Sequence, residues 1–166
     1  MDANAKKTAL RMIPYGLYVL TGESGGRVAA ATVNWVTQAS FDPPLVAVGV
    51  KADSTAHEVI KQVGSFALNV LSKGQQSLAF SFFKSVERDG DTIAGESFSS
   101  GKTGSPILAN AVAYLECSLL DTVEKGDHSI FVGEVVEAGV SRDIPGRPDD
   151  ETLALQDLGE KTFYGG

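Results

Sequence analysis

The feature that most limits the fold is a pair of long β-runs late in the chain. They are AVAYLECSLLDTVE (residues 111–124) and SIFVGEVVEAGV (129–140), joined at Lys125, Gly126 and Asp127. Both runs are rich in apolar and β-branched residues, and a tight Gly-Asp connection between two such runs makes a hairpin. This hairpin closes the core of whatever the earlier segments build. GLYVLTG (16–22) reads as a strand ending in a Gly- and Ser-rich turn, and RVAAATVNWVTQAS (27–40) as one strand with Thr32 and Asn34 on one face. FDPP is a turn. LVAVGVK (45–51) reads as a strand buried on both sides, and SFALNVL (65–71) as another.

The helices are short. AKKTALRMI (5–13) is stopped by Pro14. DSTAHEVIKQVG (53–64) offers Asp53, Ser54 and Thr55 as N-cap candidates, Glu58 for a capping box and Gly64 as a stop. QQSLAFSFF (75–83) and DDETLALQDLG (149–159) complete the set. The polar stretch 84–105 reads as a long loop, a kind that is usually functional or mobile. Five or six strands in mostly antiparallel order predict a mostly β fold, an antiparallel barrel with a few short peripheral helices, over an alternating βαβ fold. No repeat or linker divides residues 1–166, so a single domain is expected.

Charge excludes some functions. Twenty-one acidic residues against 14 basic give a net charge of −7, without the Lys/Arg cluster that a nucleic acid or an anionic membrane surface requires. The one cysteine, Cys117, forms no intrachain disulfide and reads as core, which fits a reducing compartment and a cytoplasmic protein. The two histidines, His57 and His128, have no Cys or His at ligand spacing, so no metal site is expected. The opening residues hold no apolar stretch of the secretory kind, and the longest apolar run, PPLVAVGV (43–50), is too short to span a bilayer. GESFSSGKTG (95–104) imitates a phosphate-binding P-loop, but five residues separate Gly95 from Gly101 where the motif has four, and Pro106 follows closely. It reads as a polar loop.

Three segments carry chemistry. The stretch Thr32, Val33, Asn34, Trp35, Thr37, Gln38, Ala39 and Ser40 offers backbone groups and small polar side chains along one strand. Ser54 and Thr55 start a helix just after Lys51, and a helix N-terminus attracts anions. Asp53 would repel an anion there unless it points away. His57, in the first turn, either faces that anion or is solvated. His128 sits where a turn hands over to a strand, as an ordinary turn residue or aimed into a site.

TVNWVTQASFDPPLVAVGV (32–50), KADSTAHEVI (51–60), FALNVLSKGQQSLAFSF (66–82), SPILANAVAYLECSL (105–119) and GDHSIFVGEV (126–135) occur in an order and spacing that resemble the flavin reductase-like family of FMN-binding split barrels. The resemblance runs from about Ala9 to Val140. The opening ALRMIPYGLYVLTG also resembles the flavin reductase module fused to some flavodiiron proteins. The resemblance implies an antiparallel split β-barrel of Greek-key type, a homodimer with FMN near the subunit interface. It places residues 32–40 along the isoalloxazine and ribityl, and the phosphate at Lys51, Ser54 and Thr55. Phe82 touches the flavin or packs in the core, and Lys84 adds positive charge. His128 borders the nicotinamide and is the candidate catalytic residue. The implied activity is NAD(P)H:flavin oxidoreduction, with electrons passing to a partner monooxygenase, a flavodiiron-type protein or another acceptor. The chain lacks a Gly-x-Gly-x-x-Gly fingerprint, so NAD(P)H would bind without a Rossmann domain. The alternatives are an FMN-binding electron-transfer module without its own NAD(P)H site, and an FMN-free barrel with a structural role.

Overall fold

The structure, a computed structural model, describes residues 1–165. Its strands are β1 (Tyr18–Ser24), β2 (Arg27–Val33), β3 (Val36–Ser40), β4 (Leu45–Lys51), β5 (Ser65–Val70), β6 (Arg88–Asp89), β7 (Thr92–Ile93), β8 (Glu96–Ser100), β9 (Pro106–Leu108), β10 (Ala113–Glu124) and β11 (His128–Val140). The helices are α1 (Ala3–Arg11), α2 (Thr55–Val63), α3 (Gln76–Ser81) and α4 (Pro148–Glu151), with a 3₁₀ turn at Leu155–Leu158.

Asn34 and Trp35 shape the molecule. They are the only link between β2 and β3, yet these strands lie at opposite ends of a seven-stranded sheet ordered β2-β1-β5-β10-β11-β4-β3. In a flat sheet, six inter-strand gaps would separate the outer strands by about 29 Å. The two-residue link spans at most about 11 Å between flanking Cα atoms. The sheet therefore has to roll up, and every pairing in it is antiparallel.

The core shows the same curl. Leu20 of β1, Ala29 of β2, Val48 of β4, Phe66 of β5, Cys117 of β10 and Phe131 of β11 share one buried cluster with Ala56, Val59 and Ile60 of α2. Strands far apart in the sheet order thus meet around one interior, and α2 packs into it. A second cluster, including Leu17, Leu71, Phe82 and Leu153, lies under α3.

The long hairpin forms as expected, with β-bulges shifting its register near Cys117 and Asp121. Four expectations change. The run 27–40 is two strands, because rolling the sheet breaks it at Asn34 and Trp35. Strand β4 is buried on alternate residues only. Residues 84–105 are not an unstructured loop, since β6, β7, β8 and β9 form a small antiparallel sheet. Glu58 makes no capping box and instead meets Arg27 at 2.8 Å. Among the described residues, no helix is long and apolar enough to cross a membrane, and no group of three His, Cys, Asp or Glu could hold a metal ion.

Candidate active site

A cavity of about 380 Å³ opens where the end of β2, the start of α2, the residues after α3 and the start of β11 converge. Helix α2 contributes its first turn. Ser54 is the N-cap: its Oγ accepts the His57 N–H at 3.1 Å and donates to the Lys51 carbonyl at 2.7 Å. The Glu58 N–H reaches the Ser54 carbonyl. The N–H groups of Thr55 and Ala56 precede any intrahelical acceptor, and both residues line the cavity. Two backbone donors at the positive end of a helix dipole thus face a space that Lys51 and Lys84 also border. Asp53 is less adverse than expected. Lys51 Nζ lies 3.0 Å from its carboxylate, and that hydrogen bond and charge hold the carboxyl below its usual range.

Thr32, Val33 and Asn34 form the second wall. The Thr32 N–H donates to the Phe82 carbonyl at 3.0 Å, and its Oγ1 donates to the Ala79 carbonyl at 2.7 Å. These bonds tie α3 to β2 and set Phe82 against the cavity. Phe82 is 1% exposed, so it packs in the core and lines the cavity at once.

His128, the first residue of β11 and the pairing partner of Lys51, stands on the third wall. Its Nδ1 lies 2.9 Å from Asp127 Oδ1, and its Nε2 lies 2.7 Å from the Tyr164 hydroxyl. The bond to His128 keeps the Asp127 carboxyl below its usual range. An ionised carboxylate only accepts, so in the neutral ring Nδ1 carries the proton and Nε2 accepts from Tyr164. The Trp35 ring lies 4.6 Å from the imidazole. Trp35 can lie across β4 because position 49 is glycine: a Cβ there would fall 2.9 Å from Trp35 Cε3. The Trp35 indole Nε1 is buried without a hydrogen-bond partner.

The cavity thus gathers Thr32, Val33, Asn34, Lys51, Ser54, Thr55, Phe82, Lys84 and His128. Other expected site residues lie elsewhere. Thr37, Gln38, Ala39 and Ser40 are on β3, past the break in the run, and do not line it. The Thr37 and Gln38 side chains bond locally, to the carbonyls of Gln38 and Ser40. Trp35 acts behind His128 rather than on the wall. His57 turns inward, two residues and so about 200° around the helix from Thr55. Its Nε2 lies 2.8 Å from Ser129 Oγ, and its ring lies 5.0 Å from that of Phe131. Burial, and then the Lys61 charge, push its pKa down against the opposing pull of Glu124.

Sequence reasoning missed residues 162–164, which also border the cavity. Their only signal was an aromatic pair, Phe163 and Tyr164, in a tail with no element pattern. The P-loop imitation has a use of its own. Lys102 N–H, Thr103 N–H and Thr103 Oγ1 all donate to the buried Glu116 carboxylate, at 3.0, 2.7 and 2.7 Å. Burial opposes ionisation there, but these bonds outweigh it and hold the carboxyl below its usual range.

A model of the family described as flavin reductase like domain matches residues 10–157. The chain belongs to that family. It is 38% identical over 134 residues to the high molecular weight rubredoxin of Moorella thermoacetica, covering 80% of this chain and 58% of that one. It is also 38% identical over 144 residues to diflavin flavoprotein A 1 of Synechocystis, covering 86% of this chain and 25% of that protein. The chain thus spans between a quarter and three fifths of the length of these two relatives. The ferric-chelate reductase (NAD(P)H) of Archaeoglobus fulgidus is 34% identical, with 81% of each chain covered. Among solved structures, the Streptomyces globisporus NADH:FAD oxidoreductase SgcE6, in complex with NAD and FAD fragments, superposes with a TM-score of 0.72. It has 31% identity over 89% of this chain and 84% of that one. The mostly β antiparallel fold expected of this flavin reductase-like chain is therefore the one it has.

Proposed function

We propose that residues 1–166 act as one flavin-binding domain, an NAD(P)H:flavin oxidoreductase that takes FMN. The observation that carries this reading is the convergence of the free first-turn amides of α2, the polar end of β2 and His128 on one cavity. The donor set fits FMN. Thr55 and Ala56 amides, with Lys51, suit a phosphate; the β2 end suits a polyol and a polar ring edge; Phe82 supplies an apolar surface. When bound, FMN would supply the ring that accepts a hydride from the nicotinamide. His128, tautomerically fixed by Asp127, sits where it can orient the donor or hold a proton at Nε2. No protein nucleophile is needed, because the side chains position the two cofactors. The names of the Archaeoglobus and Streptomyces relatives support a nicotinamide donor.

The fit to longer relatives favours one further reading: a flavin-binding electron-transfer module that serves another part or a partner, such as a monooxygenase or a flavodiiron-type protein. The short share of the Synechocystis protein covered is what supports it. Dimerisation belongs to the proposal too. Leu120, Ile130 and Val140 leave apolar side chains exposed on the long hairpin, a surface that a second copy would cover. A cytoplasmic setting suits the buried free thiol of Cys117, which burial pushes up to about 12.

Anaerobic titration of the FMN-loaded protein with NADH and then NADPH tests the proposal. Bleaching of the flavin band by at least one of them is expected. A flavin that binds but stays oxidised under both would leave the electron-transfer module, and failure to bind FMN at all would overturn both readings.

A further inference from the structure

The tail crosses the mouth of the candidate site. Thr162, Phe163 and Tyr164 line the 380 Å³ cavity on one side. On the other side they line a second cavity of about 440 Å³, bounded by Arg11, Tyr15, Tyr18 and Gln156. With Leu155 of the 3₁₀ turn, these three residues make the wall that the two cavities share. The first cavity lies near the lower end of the range for ligand pockets, ~300–1,000 Å³, which suits one nucleotide better than two stacked together.

The partition is lightly held. Asn34 Nδ2 donates to the Tyr164 carbonyl and Arg11 Nε to the Gly165 carbonyl, both at 3.3 Å. The Arg11 guanidinium lies 4.3 Å over the Phe163 ring. Phe163 and Tyr164 stay 51% and 47% exposed, far from a packed core. The strap hangs from Gly159, whose φ of +123° is open to glycine and costly for other residues. Its closed position also leaves Trp35 Nε1 buried without an acceptor, close to Gly165. The shortest contact of the strap is the Tyr164 hydroxyl on His128 Nε2 at 2.7 Å; the Thr162 N–H also donates to the Gly159 carbonyl at 3.0 Å, and the Tyr164 ring lies 5.5 Å from that of Trp35.

We infer that residues 162–165 form a movable strap, and that Tyr164 competes with the nicotinamide nucleotide for His128, so that Tyr164 sets the affinity for that second nucleotide. This rests on the oxidoreductase reading above. When the nucleotide binds, the strap swings out, His128 Nε2 exchanges the tyrosine hydroxyl for a donor on the ligand, and the two cavities join. Arg11 and the rings of Tyr15 and Tyr18 then face the outer part of the ligand, with charge for its phosphates and a flat surface for its base.

Two measurements on the purified chain test this. Lys161 is exposed at the base of the strap, so tryptic cleavage between Lys161 and Thr162 reads strap release without any turnover. Cleavage should speed up with saturating NAD⁺ and stay unchanged with FMN alone. Tyr164→Phe keeps the ring and removes the hydroxyl. It should tighten NAD⁺ binding, read by fluorescence of Trp35, by between about twofold and tenfold, the worth of one hydrogen bond. The KM for NADH should fall in step. A merely structural tyrosine would lower the melting temperature without tightening the nucleotide. Equal NAD⁺ affinity in both proteins, or cleavage indifferent to NAD⁺ while the wild type oxidises NADH, would overturn the strap and leave the oxidoreductase reading intact. A wild type that binds neither NAD⁺ nor NADP⁺ and oxidises neither NADH nor NADPH would sink both.

Discussion

The loop at residues 101–104 and the first turn of α2 both carry backbone N–H groups suited to an anion. In the loop, the chain supplies its own anion: Glu116 reaches up from β10 and takes three donors. At α2 the amides of Thr55 and Ala56 face a cavity, and the nearest carboxylate, Asp53, is drawn off by Lys51. Similar local chemistry thus serves structure in one place and, on the proposed reading, ligand binding in the other. What separates them is whether a buried side chain fills the cradle. Gly101 shows how tightly the first is filled, since a Cβ there would lie 2.7 Å from Glu116 Oε2.

The largest effect should come from emptying the filled cradle. Glu116→Ala removes three charge-assisted bonds and leaves their donors facing a void, so it should cost at least about 3 kcal/mol of stability in chemical denaturation. Because the folded protein holds the Glu116 carboxyl below its ordinary range, its stabilisation is complete above that range. It is lost as the pH falls through the depressed folded-state value. Glu116→Gln should therefore lack this acid-side loss of stability. A variant as acid-sensitive as the wild type would show that Glu116 is not the group that titrates.

The open cradle should respond through ligand affinity. Thr55→Pro deletes one of its amides at the first helical position and should weaken FMN by about 1.5–3 kcal/mol for the charge-assisted bond lost. Stability should hardly change, because proline is tolerated at the first helical position and the Ser54 cap is untouched. Wild-type FMN affinity by calorimetry in this variant would remove the Thr55 amide from the phosphate site. The smallest effect should be that of His128→Ala, with flavin reduction by NAD(P)H slowed by about tenfold or less and FMN affinity nearly intact, since stacking and proximity supply most of the rate. Stopped-flow traces identical to the wild type would make His128 an ordinary turn residue.

The residues that sequence placed correctly are those whose role is local. The N-cap of α2 is Ser54, one of the three adjacent candidates Asp53, Ser54 and Thr55, and Gly126 with Asp127 turns the long hairpin. What sequence could not show depends on distant partners. The run 27–40 is uniformly strand-like, and only the rolled sheet breaks it, sending Thr37 to Ser40 away from the cavity that Thr32 to Asn34 line. His57 reads as facing the anion or solvated until Ser129 and Phe131 are brought beside it across the rolled sheet. The two-residue strands β6 and β7 carry no periodicity, because their order comes from pairing with each other and with β8. Tyr164 belongs to no element, and only its contact with His128 gives it meaning.

The rolled sheet also sets a timetable. Its closing pairs join residues more than fifty positions apart: Tyr18 with Val70, Ser65 with Ser118, Lys51 with His128. Contacts of that separation form late, after the loop-closure entropy has been overcome. On a ribosome, the first residue of α2, Thr55, is added 73 residues before His128, about 4–15 s earlier at ordinary elongation rates. During that interval the open amides of Thr55 and Ala56 exist with no cavity around them. The flavin-reductase fold therefore completes its candidate nucleotide site only once the strand that starts at His128 has been synthesised, so on the proposed reading a nascent chain cannot use the cofactor as an early scaffold.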